Sequence, residues 1–185
     1  VVITLVGETN ANSPEVFYLY GETVFNSVTF KQADPTKQYF IKELYTGRRV
    51  NNGEFIFDGV NITITGSGCQ YIFEGNVKLI NNSTITSKAD ANCFVYYANV
   101  TIEPGSKLNG VIDDIRGGTL TVDGGKTDGT VNSTPDLQDA FLHVNWADSK
   151  LVLKNGAYAK INSVNEIGKL TVNGTVEVSN AKLEV

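Results

Sequence analysis

One short phrase, a strand followed by a turn and a second strand, recurs along most of this chain. The segments NVKLINNSTITS (Asn76–Ser87), NVTIEPGSKLNG (Asn99–Gly110) and SKLVLKNGAYAKI (Ser149–Ile161) each alternate apolar and polar residues on both sides of a turn. Alternation with period two is typical of β-strands that bury one face. Gly, Asn and Asp separate the strands, and these residues tolerate the positive φ angles of tight turns. The sequence therefore predicts an all-β protein.

The length of the repeat distinguishes two all-β architectures, an antiparallel sandwich or barrel and a β-solenoid of stacked coils. In the middle of the chain the repeat is about 22–25 residues long, which is three short strands, as in one solenoid coil. Stacked strands lie about 4.8 Å apart, so equivalent residues should form columns. We predict one column containing Phe55, Tyr71 and Phe94, and another containing Asn76 and Asn99. The uneven spacing of the repeats favours a right-handed single-stranded parallel β-helix with loops at its corners over a left-handed hexapeptide solenoid.

The chain divides at the point where the repeat begins. Residues 52–185 are predicted to form one continuous domain of coils, and residues 1–51 are predicted to form irregular N-terminal strands. The segment Asp34–Gly47 has the signals of a short capping or flanking helix, with Asp34 as N-cap, proline at the first helical position and Gly47 as the stop. A strand is the alternative, because the aromatic and branched residues of this segment favour β structure.

Composition excludes several classes of protein. The chain has 185 residues and a formal net charge of -5, and its basic residues are scattered, so nucleic-acid binding is not expected. No apolar run approaches the roughly 18–20 residues of a membrane-spanning helix. With two cysteines and the single histidine His143, no metal site or cofactor is predicted. The chain contains no methionine, so we expect it to be processed or part of something longer.

The two cysteines, Cys69 and Cys93, lie one expected coil apart. Stacked neighbours at that spacing would have Cα atoms within the roughly 4.4–6.8 Å that a disulfide requires. A bridge between adjacent coils is therefore one interpretation. Two small buried apolar side chains in one column are the other.

At VTIEPGSKL and KLVLKNGAYAKI the chain resembles right-handed parallel β-helix proteins of the pectin-lyase-like superfamily, over about residues 52–185. Such helices occur in bacterial surface adhesins, in autotransporter passenger domains and in phage fibres or tailspikes. The resemblance implies an extracellular, cell-surface or virion protein that often meets carbohydrate. It suggests a non-enzymatic structural or adhesive role that presents loops to a surface glycan or host-cell component, with a homotrimer or assembly with flanking parts as its quaternary structure.

A carbohydrate-active enzyme is the first alternative. Glycosidases use two carboxylates, one as acid and one as base or nucleophile. Asp113 and Asp114 lie close to Arg116 in GVIDDIRGG, and they are the candidate catalytic residues. Adjacent residues of a strand point to opposite faces, so both carboxylates could serve one site only if a turn redirected them. A solvent-exposed corner is the simpler interpretation of these charges. In addition, His143 lacks the flanking glycines of the histidine motif that is found in enzymes of the superfamily this chain resembles.

The candidate ligand-binding residues are Tyr96, Tyr97 and Trp146. Neighbouring strand residues cannot both face inward, so one of the two tyrosines should be exposed. Exposed aromatic rings can stack on sugar rings, because they combine apolar area with a polar tip. The alternative is that these rings fill the core or meet a partner subunit, as in a purely architectural assembly protein.

Overall fold

In the computed structural model the chain is an all-β parallel solenoid, which confirms the fold class predicted from the repeat. The structure describes residues 1–6, 15–18, 27–46, 54–66, 68–87, 91–109, 111–130, 142–162 and 170–185. The strands are β1 Val2–Leu5, β2 Glu15–Tyr18, β3 Val28–Gln32, β4 Tyr39–Tyr45, β5 Glu54–Asp58, β6 Asn61–Ile64, β7 Gly68–Ile80, β8 Thr84–Ser87, β9 Ala91–Ile102, β10 Lys107–Asn109, β11 Val111–Arg116, β12 Thr119–Asp123, β13 Lys126–Thr130, β14 Leu142–Val144, β15 Lys150–Lys154, β16 Tyr158–Asn162, β17 Leu170–Val172, β18 Thr175–Ser179 and β19 Lys182–Glu184.

Each coil passes through three stacks of parallel strands. The first stack contains β1, β3, β5, the second halves of β7 and β9, β12, β15 and β18. The second stack contains the start of β4, then β6, β8, β10, β13, β16 and β19. The third stack contains β2, the end of β4, the first halves of β7 and β9, β11, β14 and β17. Strands β7 and β9 therefore turn from the third stack of one coil into the first stack of the next.

The core consists of columns of inward-facing apolar side chains. One column of the first stack, in which every side chain is at most 1% exposed, contains Phe30, Phe57, Leu79, Ile102, Val122 and Leu153. Alternate residues of a strand share one face, and in-register parallel pairing places equivalent residues of successive coils over one another. The repeated alternation in the sequence thus becomes a continuous interior.

The two predicted columns differ in outcome. Asn76 pairs with Asn99 as expected, and the Nδ2 atom of Asn99 donates a hydrogen bond to Oδ1 of Asn76 at 3.2 Å. The column containing Phe55, Tyr71 and Phe94 is wrong, because Phe55 belongs to the first stack and pairs with Val77. Tyr71 and Phe94 belong to the third stack, in neighbouring parallel strands but one residue out of register. Strands of different stacks share one alternating pattern, so the pattern alone does not distinguish them.

The predicted helix of the segment Asp34–Gly47 is wrong, and the strand alternative is confirmed over β4. The carboxylate of Asp34 accepts hydrogen bonds from the amide and the hydroxyl of Thr36, at 3.1 and 2.6 Å, and so closes a turn rather than capping a helix. Gln32 supports this turn, because its Nε2 donates to the carbonyls of Asp34 and Lys37 at 2.9 and 2.6 Å. Parallel pairing of β4 with β6 and β7 outweighs the local helix signals.

The described strands of the N-terminal part continue the coil stacks, since β1 pairs with β3 and β3 pairs with β5. The parallel register therefore extends across the point where the sequence repeat becomes clear. The division of the chain at residue 51 stays a prediction.

Two corners between the first and second stacks carry similar polar clusters. The carboxylate of Asp58 accepts a hydrogen bond from the Asn81 amide at 2.7 Å and lies 2.9 Å from the Lys31 ammonium. The Asp123 carboxylate, three coils further along the solenoid, has the same kinds of partner, the Asn155 amide at 2.7 Å and the Lys154 ammonium at 3.0 Å. These donors stabilise the charged form, so the asparagine first and the lysine second lower the pKa of each aspartate.

Acid should weaken the fold through these two clusters. Because the pKa of Asp58 and Asp123 is lower in the folded than in the unfolded chain, their stabilisation is complete above about pH 4 and is lost as the pH falls through the folded-state pKa. We expect the double variant D58N/D123N to lose less stability between neutral pH and pH 3 than the wild type, by up to about 1 kcal/mol for each cluster. Thermal unfolding followed by circular dichroism measures this, with D148N as the control. Equal acid sensitivity of wild type and double variant would contradict the assignment.

Candidate functional site

The candidate site lies at the corner where the third stack turns into the first. Two successive corners have the same left-handed backbone, with φ of 48° at Tyr97 and 61° at Gly117. The two positions are equivalent, because Tyr96 pairs with Arg116 before the corner and Asn99 pairs with Thr119 after it. Tyr97 therefore has the left-handed backbone conformation that is occupied by a glycine, Gly117, at the equivalent position of the next coil.

Three aromatic rings meet at this corner. The ring centroids of Tyr96 and Tyr97 lie 4.6 Å apart, and those of Tyr97 and Trp146 lie 5.4 Å apart. The Tyr96 and Trp146 centroids are 6.2 Å apart. Such separations are typical of aromatic rings in direct contact. The sequence-predicted ligand-binding residues are thus brought together, although the tryptophan lies two coils after the tyrosines.

Gly117 makes this meeting possible. A Cβ atom at Gly117 would lie 2.9 Å from two carbons of the Tyr97 ring and 3.2 Å from a carbon of the Trp146 indole. The two rings therefore approach each other over the bare Cα of the intervening coil. We call the group formed by Tyr96, Tyr97, Gly117 and Trp146 the aromatic corner.

Ser149 holds the backbone of the aromatic corner in place. Its Oγ accepts hydrogen bonds from the amides of Gly117 and Trp146, at 2.9 and 3.1 Å, and its own amide donates to the Trp146 carbonyl at 2.9 Å. The side chain of Ser149 is only 1% exposed, so these bonds are shielded from water. Ser149 therefore links the turn that contains Trp146 to Gly117 of the preceding coil. The sequence offered no signal for this role, because Ser149 looks like an ordinary turn residue.

The exposure of the rings agrees with the expectation that one tyrosine faces outward. Tyr97 is 52% exposed, whereas Tyr96 and Trp146 are half-buried. The reason is not simple strand alternation, since the positive φ of Tyr97 turns the chain at that residue. The exposed ring lies against its neighbours and is not free in solvent. Ligand binding by these residues stays a prediction.

The candidate catalytic residues lie on β11, next to the aromatic corner. The side chains of Asp113 and Asp114 fall outside the described part of the structure, so their convergence stays a prediction. The backbone register places Asp114 opposite His143 of the next coil, and Arg116 opposite Tyr96. A register irregularity lies between Ile112 and Asp114. The sequence did not indicate the proximity of Asp114 to His143, because the two belong to different coils.

The cysteines occupy neighbouring strands of the third stack. Cys69 pairs with Asn92, and Cys93 pairs with Tyr71, so the two cysteines are one position out of register. Their side chains lie outside the described part. The disulfide and the alternative of two unbridged side chains both stay predictions.

The described part of the chain contains neither a cluster of metal ligands nor a membrane-spanning helix. Within it, no group of three or more His, Cys, Asp and Glu residues is arranged to hold a metal ion. The described residues also form no helix with the length and apolar character needed to cross a bilayer.

No family model matches the chain, and neither the curated proteins nor the solved structures provide a match.

Proposed function

We propose that this protein is a non-enzymatic structural and adhesive rod that works outside the cell or on a virion, and that its aromatic corner binds a sugar ring of a surface glycan. The observation that carries the proposal is the half-exposed Tyr97 in a left-handed backbone. The parallel solenoid supplies the rigid support, and the corner supplies the contact surface.

Tyr97 stands apart from the other residues with positive φ. Among the described residues, the non-glycine residues with positive φ are Asn81, Asn82, Asn155, Asn180 and Tyr97. Asparagine enters this region readily, whereas a bulky side chain costs about 1–2 kcal/mol there. With 52% of its side chain exposed, Tyr97 offsets only part of that cost by burial. Backbone strain of this kind concentrates at sites of function, which supports a contact role for the ring.

Carbohydrate is the ligand class that suits this surface. Tyrosine and tryptophan present an apolar face that can cover the C–H face of a sugar, together with an O–H or N–H group for its hydroxyls. The backbone of the corner is held by parallel pairing and by Ser149, so little conformational entropy is lost when a ligand binds. The resemblance to β-helix adhesins, autotransporter passengers and phage fibres supports the same role. Assembly into a homotrimer belongs to this proposal.

The variant Tyr97→Gly tests the proposal. Glycine accepts the left-handed backbone without strain, so the variant should keep the wild-type fold while it lacks the exposed ring. We expect it to bind at least about tenfold more weakly than the wild type to the glycans that the wild type recognises on a glycan array. Thermal unfolding of the same samples verifies the fold.

Asn82→Gly is the matched control, because it makes the same backbone exchange at an exposed position with φ of 59° in a different corner. This control should bind like the wild type. Equal binding by Tyr97→Gly and the wild type would contradict the role of the ring. A wild-type protein that bound no glycan would contradict the proposal and favour a purely architectural role.

A further inference from the structure

We infer that the aromatic corner receives a single projecting sugar ring, such as the end or a branch of a glycan, and not the flat face of an extended polysaccharide. This inference rests on the proposed glycan-binding function. It concerns the class of ligand, which follows from the angles between the rings and from the composition of the neighbouring corners.

The ring planes exclude a flat platform. The interplanar angles are 71° between Tyr96 and Tyr97, 69° between Tyr97 and Trp146, and 70° between Tyr96 and Trp146. Successive units of an extended sugar chain can stack on several aromatic rings only when those rings share a common plane. Here no two rings do, so a sugar that lies parallel to one ring is steeply inclined to the other two. The corner therefore offers a sugar one ring face at a time and no continuous stacking surface.

The spacing of the rings leads to the same conclusion. Two coil spacings separate the corners of Tyr97 and Trp146, which is about 9.6 Å along the axis of the solenoid. Their ring centroids nevertheless lie only 5.4 Å apart. The two rings have closed together over Gly117, and the space between them does not admit a further stacked sugar. The arrangement is compact and does not extend along the axis.

The aromatic surface also ends at the neighbouring corners. In the preceding coil the turn into the first stack is made at Gly75, where an added Cβ would meet nothing within 4 Å. In the coil beyond Trp146 the turn contains Gly174, where a Cβ would lie 2.1 Å from the Ser149 carbonyl oxygen and 2.6 Å from that of Trp146. Neither glycine supplies a ring, so a sugar chain that ran from the aromatic corner over these two neighbouring turns would gain no further aromatic contact from them.

The test compares the affinity of the full chain for sugars of increasing length. Methyl glycosides of glucose, galactose, mannose and N-acetylglucosamine are titrated by calorimetry beside the matching trisaccharides and hexasaccharides, with Tyr97→Gly as the second protein. For a sugar that binds, we expect Kd to change by less than about threefold between the glycoside and the hexasaccharide. The protein should also not be retained on insoluble cellulose or chitin.

Failure of this inference and failure of the proposed function give different results. An affinity that rises more than about threefold with chain length, or retention on the insoluble polysaccharides, would overturn the inference of a single bound sugar ring. If Tyr97→Gly abolished that binding, the glycan-binding function itself would stand. Absence of wild-type binding to every probe would overturn the proposed function and the inference with it.

Discussion

Replacing Phe57 with alanine is expected to lower the free energy of unfolding by about 3–5 kcal/mol, because it removes a fully buried aromatic ring. The side chain is 0% exposed. Its ring centroid lies 5.4 Å from that of Phe30, 6.4 Å from Phe55 and 6.2 Å from Phe73. Truncation removes these contacts and leaves a cavity that the neighbouring strands β3 and β7 cannot close, because in-register pairing fixes their separation from β5. Urea unfolding followed by circular dichroism measures the change.

The neighbouring substitution Ile56→Ala is the matched control. Ile56 lies on the same strand, but its side chain belongs to the outward face and is partly exposed. We expect it to cost less than about 1 kcal/mol. Similar losses for the two variants would mean that the interior column does not carry the stability of the solenoid.

Replacing Gly118 with alanine should destabilise the protein by about 3 kcal/mol or more through steric overlap alone. An added Cβ would lie 2.2 Å from the carbonyl oxygen and 2.7 Å from the nitrogen of Ala98. Both atoms belong to the backbone of the preceding coil, which pairing between β9 and β12 holds in place. The Gly118 carbonyl also accepts a hydrogen bond from the Lys150 amide at 2.8 Å, so a shift would propagate into the next coil. Thermal and urea unfolding report the loss.

Gly75→Ala separates this overlap from backbone strain. Gly75 lies at an equivalent corner with φ of 75°, and an added Cβ there would meet nothing within 4 Å. Only the left-handed conformation should then be penalised, at about 1–2 kcal/mol. If Gly118→Ala were no more harmful than Gly75→Ala, the close approach of the coils at Gly118 would not be a steric requirement.

The incorrect predictions share one physical origin. The segment that begins at Asp34 has the local signals of a helix, yet its strand is stabilised by residues of β6 and β7, which follow later in the chain. Likewise, the alternating pattern predicts one column for Tyr71 and Phe55 because both begin alternating segments, although the two belong to different stacks. Local preference is worth little beside burial in a cooperative core.

The candidate site shows the same limit. The sequence identifies Tyr96, Tyr97 and Trp146 as aromatic residues near turns, and it predicts that one tyrosine is exposed. It does not reveal that Tyr97 takes the left-handed position of Gly117, since that equivalence appears only when the two coils are aligned in space. Nor does it reveal Ser149 as the residue that ties the corner together.

The sequence by itself determined that the chain is all-β, that three short strands make one coil and that the coils stack in parallel. Those properties follow from period-two alternation, from turn residues and from the length of the repeat, all of which can be read directly from the amino-acid sequence. Only the tertiary structure decided which strands are neighbours, which residues share a column and which rings meet at the aromatic corner. Every strand carries nearly the same alternating pattern, so register is set by how large and small side chains fill the common interior and by how closely the backbones approach at their corners.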